Sequence, residues 1–96
     1  MPAIGVLTLD IRVEHSHSLK EKRHVVKSLK DRLRHRYNVS VAEIDGQESW
    51  QRSVIAAVTV SSSRAYAQQV LQAVEDDAAG LLGAMLISAF VDWVDE

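Results

Sequence analysis

The sequence predicts an α+β sandwich, one four-stranded antiparallel sheet carrying two helices on the same face. Three observations lead there. Four segments read as strands and two as helices, in the order β-α-β-β-α-β. Each helical segment is preceded by serine in a capping position. The chain has 96 residues and 47% hydrophobic content, enough for one core and one domain over residues 1–96. Right-handed crossovers then give the spatial strand order 4-1-3-2 of a ferredoxin-like sandwich.

Residues 3–13 (AIGVLTLDIRV) alternate, with Leu7, Leu9, Ile11 and Val13 on one face, as in a strand covered on one side. Ser18 and Glu21 form an S-x-x-E capping box, so the first helix begins there. Its apolar arc is Leu19, Val26, Leu29 and Leu33, with Val25 at the margin, and it fades at Tyr37–Asn38. Residues 39–45 make the second strand, and Asp45-Gly46 opens a connection reaching Trp50. Residues 52–61, rich in β-branched side chains, make the third strand. The second helix covers 64–78 with Tyr66, Val70, Ala73 and Val74 expected inward, and Gly80 and Gly83 bracket the turn that leaves it. Residues 84–94 form the last strand, where Leu86, Phe90 and Val94 compete with Ile87, Val91 and Trp93 for the core. The helix-free face of the sheet is assigned Thr8, Asp10, Arg12, Ile55, Ala57, Thr59, Ser88 and Phe90. Half of it is apolar, which predicts self-association as a homodimer, through this face or an edge strand.

Absence of cysteine excludes disulfides, thiol nucleophiles and Cys-ligated metal sites, and fits a cytoplasmic location. No basic segment leads into a long apolar run at the N-terminus, so no signal peptide is expected. The apolar stretches also fall short of a membrane span.

Net charge is only −2, yet the charges are segregated. Eight of the eleven Lys and Arg residues lie between Lys20 and Arg36, opposed there only by Glu21 and Asp31. Residues 75–96 carry six acids and no base. Lys20, Arg23, Lys27, Lys30 and Arg34 recur at spacings that hold them on one stripe of a helix. Such a stripe fits phosphate contact along a nucleic-acid backbone, and the helix start with Ser18, Lys20, Lys22 and Arg23 fits a single phosphate. These contacts position a strand without reading its sequence, so no DNA sequence recognition is expected. The alternative is a solubilising rim whose stems cover the core edge. The first and third strands carry no aromatic residue, so the sheet is a poor platform for stacking bases.

Residues 17–23 (HSLKEKR), 38–43 (NVSVAE) and 50–52 (WQR) resemble the YlxP-like family of small bacterial proteins at the family's spacing. Residues 61–71 (SSSRAYAQQVL) resemble its second helix. The resemblance covers nearly the whole chain. It implies a ferredoxin-like fold and, from gene neighbourhoods shared with translation-initiation and ribosome-maturation factors, a connection with RNA or ribosomes. It implies no catalytic residues.

Other constellations are weaker. His15 and His17 flank Ser16 in an H-x-H pair with no third ligand at an obvious spacing, so no metal is expected. Trp50 reads either as a partner anchor or as a cap on the core, with Arg52 as the accompanying surface contact. There is no P-loop or GxGxxG, so no cofactor is expected, and the first loop lacks a glycine-rich phosphate cradle. The sequence therefore points to a non-enzymatic protein associated with RNA or ribosomes. Docking of an acidic protein on the basic helix is the alternative, and a phosphate-ester enzyme stands behind both.

Overall fold

A computed structural model describes residues 1–94. It contains β1 (Ala3–Arg12), α1 (Leu19–Arg36), β2 (Ser40–Asp45), β3 (Arg52–Ser61), α2 (Arg64–Leu82), a 3-10 turn (Gly83–Met85) and β4 (Leu86–Val94). The four strands form one sheet in the order β2-β3-β1-β4, with all pairings antiparallel. This is the ferredoxin-like order 4-1-3-2 read from the other edge.

The capping box closes α1 as the Ser18 and Glu21 pair predicts. The Ser18 hydroxyl accepts from the Glu21 backbone N–H at 3.2 Å, and the Glu21 carboxylate accepts from the His17 N–H at 2.9 Å. Ser63 caps α2 in the same way, accepting from the Tyr66 N–H at 3.2 Å. α2 runs past Gly80 to Leu82, longer than expected. Gly83, at φ 57°, ends it, a backbone conformation that glycine takes without strain. Its inward side is Ala67, Leu71, Val74, Ala78 and Leu82, while Tyr66 is exposed. Tyr66 thus lies off the i, i+4, i+7 stripe that the longer helix buries.

The core lies between the helices and one face of the sheet. Leu7, Leu9 and Ile11 of β1 meet Val26, Leu29 and Leu33 of α1 and Leu71 and Val74 of α2. The β1–β3 register pairs Leu9 with Ile55, Leu7 with Ala57 and Gly5 with Thr59. Cross-strand partners share a face, so Ile55, Ala57 and Thr59 lie under the helices and are buried, which corrects their assignment to the open side. The open side of β3 carries Val54, Ala56, Val58 and Val60 instead. Because Ser53 and Thr59 are buried on the helix side while the open phase is all Val and Ala, alternation alone orients β3 the wrong way.

β4 resolves its ambiguity through a bulge. Asp10 pairs with Ser88 and Ile11 with Leu86, so Ile87 is the extra residue and the alternation changes phase there. Leu86, Ala89, Val91 and Trp93 share the helix side, while Phe90 and Val94 lie on the open face with Thr8, Asp10, Arg12 and Ser88.

Gly5 sits where Leu71 of α2 packs directly onto β1. A β-carbon there would lie 2.7 Å from Leu71 Cδ1 and 3.0 Å from the Trp93 ring, which in turn stacks under Arg64 at 4.5 Å. Gly5→Val should overpack this point and lower unfolding free energy by about 1–3 kcal/mol, read from urea denaturation.

Candidate anion-binding groove

The roll of α1 decides which side chains reach water. Val26, Leu29 and Leu33 face the core, and Lys22, one turn earlier on the same stripe, goes in with them. Lys22 is fully buried. Its ammonium donates to Glu43 Oε2 at 3.0 Å, the Gly46 carbonyl at 2.6 Å and the Arg52 carbonyl at 3.4 Å. Ser53 Oγ donates to the same Glu43 oxygen at 2.6 Å. Gly46 makes the tight connection possible: its φ is 80°, and a β-carbon would fall 2.6 Å from the Arg52 carbonyl oxygen. Lys22 is therefore a tie between α1 and the β2–β3 hairpin. Its expected place in an anion site is corrected, because no face of the ammonium meets solvent.

Arg23, Lys27, Lys30 and Arg34 each follow a core-facing residue by one position. They are turned about 100° from the core, toward β2. With Val26, Asp31 and Glu43 they line an open groove of about 380 Å³ between α1 and the β2 edge. Lys20 is exposed one turn toward the helix start. Asp31 serves two of these cations, Lys27 at 2.7 Å and Arg34 at 3.9 Å. The hydrogen bond from Lys27 holds the Asp31 carboxyl below its ordinary pKa. Among the described residues, Lys20, Arg23 and Lys30 have no ion-pair partner. Arg34 also donates to the Val41 carbonyl at 2.8 Å, and Gln47 donates to the Glu43 carbonyl at 3.2 Å. These bonds occupy carbonyls of the edge strand and blunt it against pairing with another strand.

On the opposite flank of α1 the cations are engaged within the fold. Arg32 and Arg36 reach Asp77 of α2 at 2.7 Å and 3.3 Å, and the Tyr37 hydroxyl donates to it at 2.9 Å. Burial pushes the Asp77 carboxyl up, but the hydrogen bonds from Arg32, Tyr37 and Arg36 outweigh it and hold it below the ordinary carboxylate range. The same bond to Asp77 raises the Tyr37 hydroxyl.

Other expected site residues lie elsewhere. Ser18 is occupied by the helix cap. Trp50 is 56% exposed at the mouth of β3, so it does not cap the core. Arg52 is half-buried on the open face and committed to Asp45 at 3.3 Å and Asp10 at 3.9 Å, which leaves it little freedom as a partner contact. His15 is exposed and lines a shallow cleft with Met85, and the His17 backbone serves the cap. Among the described residues no three His, Asp or Glu side chains converge on a metal site. No described helix is long and apolar enough to cross a membrane.

A family model described as "Protein of unknown function (DUF503)" matches residues 4–89. The chain belongs to this family. It is 39% identical over 71 residues to "Uncharacterized protein YlxP" of Bacillus subtilis (strain 168), an alignment covering 74% of this chain and 77% of that protein. The DUF503 chain also shares its fold with distant solved structures. A dimeric ferredoxin-like protein of unknown function from Thermobifida fusca superposes with TM-score 0.55 at 13% identity, covering 99% of this chain and 92% of that one. A putative antibiotic biosynthesis monooxygenase from Bordetella bronchiseptica gives 0.54 at 12%, covering 98% and 97%. The designed protein Foldit4 gives 0.61 at 9%, covering 100% and 99%. At such identities the likeness establishes the ferredoxin-like fold alone.

Two outcomes follow from the geometry. Lys22→Ala strands the Glu43 carboxylate and the Gly46 carbonyl and should cost about 3–5 kcal/mol of unfolding free energy. Glu43→Gln, which keeps an acceptor for Lys22, should cost less, both read by urea titration. Because the Asp77 pKa is depressed in the folded state, its stabilisation is complete above the unfolded carboxylate value near about 4 and is lost as pH falls through the lowered folded value. Asp77→Asn should therefore be less stable than the parent at neutral pH, with the difference closing in thermal melts below about pH 4.

Proposed function

We propose that this protein is a non-enzymatic RNA-binding protein of the cytoplasm, associated with ribosomal RNA, which it contacts through the α1/β2 groove as a homodimer. The observation that carries this reading is the asymmetry of α1. On the flank facing α2, Arg32 and Arg36 are both drawn onto Asp77, whereas the flank facing β2 presents Lys20, Arg23, Lys27, Lys30 and Arg34 with two carboxylates, Asp31 and the Lys22-paired Glu43. From Lys20 to Arg34 the cations span about 21 Å of helix axis, a length that matches about six steps of a nucleic-acid backbone.

The chemistry favours phosphate over base recognition. Guanidinium and ammonium groups on a helix flank meet phosphate oxygens and read duplex shape. The open sheet face has Phe90 as its aromatic residue among those described, at an edge strand, which supports no base-stacking role. Dimerisation is supported by the apolar open face and by the dimeric state named for the Thermobifida fusca protein.

The test is co-sedimentation with ribosomal subunits, and binding to a short RNA duplex, across a salt series. Arg23→Glu with Lys30→Glu should weaken duplex binding at least tenfold near physiological salt. It should also flatten the slope of log affinity against log salt by about two. Affinity and slope unchanged by this pair would remove the groove from the function.

A further inference from the structure

The open face of the sheet is apolar where an exposed antiparallel sheet is normally polar. Such a sheet with one wet face alternates apolar and polar residues along each strand. β3 does not: Val54, Ala56, Val58 and Val60 lie on its open side, Val54 and Ala56 already buried among their neighbours, Val58 half-buried and Val60 exposed, while Ile55 and Ala57 line the core. Ile4 and Val6 of β1 continue the patch, and Phe90 and Val94 of β4 are each 52% exposed on it. The patch is also graded. The polar groups Asp10, Arg12, Asp45 and Arg52 gather at one end of the face, and Ile4, Val60 and Val94 lie at the other.

That gradient restricts what can cover it. The geometry points to a second copy of this chain, stacked face to face about a two-fold axis parallel to the strands, so that each β1 lies over the partner's β3 and each β4 over its β2. This inference rests on the dimer proposed above and deepens it to an interface and a register. An axis across the strands would lay Arg12, Asp10 and Arg52 on the other copy's Ile4, Val60 and Val94. An axis along them lays the apolar end on the apolar end and the mixed-charge end on its like, with Arg12 over the partner's Arg52 beside the Asp10 and Asp45 carboxylates that pair with Arg52 in each copy. It also fits large side chains to small ones. In the cross-strand rows of the sheet, Ala42, Ala56, Thr8 and Phe90 stand side by side. Reversing that row places bulky Phe90 over Ala42 of the partner subunit, and Thr8 over the partner's Ala56. The next row, Ser40, Val58, Val6 and Asp92, reverses to set Val6 on the partner's Val58 and the Asp92 carboxylate opposite the partner's Ser40.

The area is sufficient. Four strands spaced about 4.8 Å and some eight residues at about 3.3 Å give a projected face of roughly 500 Å² per copy, which reaches the lower bound for a specific interface when both copies are counted. The helices stay on the outer sides, so the α1/β2 groove of each copy remains open to solvent.

The test uses the full chain in analytical ultracentrifugation. The parent should sediment as a dimer. Phe90→Asp and Ala42→Arg, both exposed and far from the core, should each raise the dimer dissociation constant about 100-fold or more, with unchanged circular dichroism. Combining them should restore the dimer. Within one chain positions 42 and 90 lie three strand spacings apart, about 14 Å, too far to pair, whereas the register brings them together between copies. A monomeric parent overturns both the dimer and this interface. A dimer indifferent to both single changes overturns the face and leaves the dimer standing. Single changes that dissociate it without rescue by the pair overturn the register. RNA affinity, read separately in the salt series, distinguishes all three from failure of the groove.

Discussion

The buried ammonium of Lys22 fixes the roll of α1, and the candidate binding surface follows from that roll. A lysine taken out of water is costly unless its three protons find acceptors. Here the acceptors are the Glu43 carboxylate and the carbonyls of Gly46 and Arg52, all from the β2–β3 hairpin. They exist in that position only because Gly46 adopts φ 80° and the hairpin folds back tightly. Rotation of α1 by one residue about its axis would pull Lys22 off all three, so the helix is keyed as well as packed. Apolar contacts alone permit more slippage than a charge-assisted hydrogen-bond set does.

Once α1 is keyed, its cations divide by arithmetic. Residues one position after the core stripe (Arg23, Lys27, Lys30, Arg34) turn toward β2, and Arg32, one position before Leu33, turns toward α2. Asp77 waits on the second side and draws in Arg32, Arg36 and Tyr37. The first side has Asp31, inside the same helix, and Glu43, whose carboxylate is held by Lys22. A chain of net charge −2 thus acquires a concentrated positive field on one flank. The proposed binding surface rests on this division.

Much of this was legible before any coordinates. The strand order, the Ser18–Glu21 cap and the Val26, Leu29, Leu33 arc depend on local patterns that survive folding. The burial of Lys22 left a signal too. It stands four residues before Val26 and seven before Leu29, on the apolar stripe, and Glu43 stands two residues after Val41 in the buried phase of β2. The charge on each side chain masks its place in the periodicity. What alternation could not supply was the orientation of β3, because its helix-side phase is the more polar one: it carries Ser53 and Thr59, which are buried and bonded to Glu43 and to the Asn38 carbonyl, and only the pairing of Leu7 with Ala57 and Leu9 with Ile55 decides it. The phase of β4 was hidden for a different reason. The bulge at Ile87 is a property of pairing with β1, and no periodicity within one strand contains it.

The open phase of β3 is itself informative. A strand whose outward phase is all Val and Ala is adapted to cover on both sides. The helices supply one cover, and the proposed second subunit would supply the other. The sheet holds these two demands apart. Its helix side carries the Lys22 tie and, at the β2 edge, the groove. Its open side carries Val58, Val60, Phe90 and Val94 with no basic stripe among them. Cover on the open face therefore leaves the cationic flank in water, and a polyanion on that flank does not compete with a subunit on the sheet. One layer of four strands can support both contacts at once because β2 is a sheet edge, with its carbonyls occupied by Arg34 and Gln47 rather than offered to another strand.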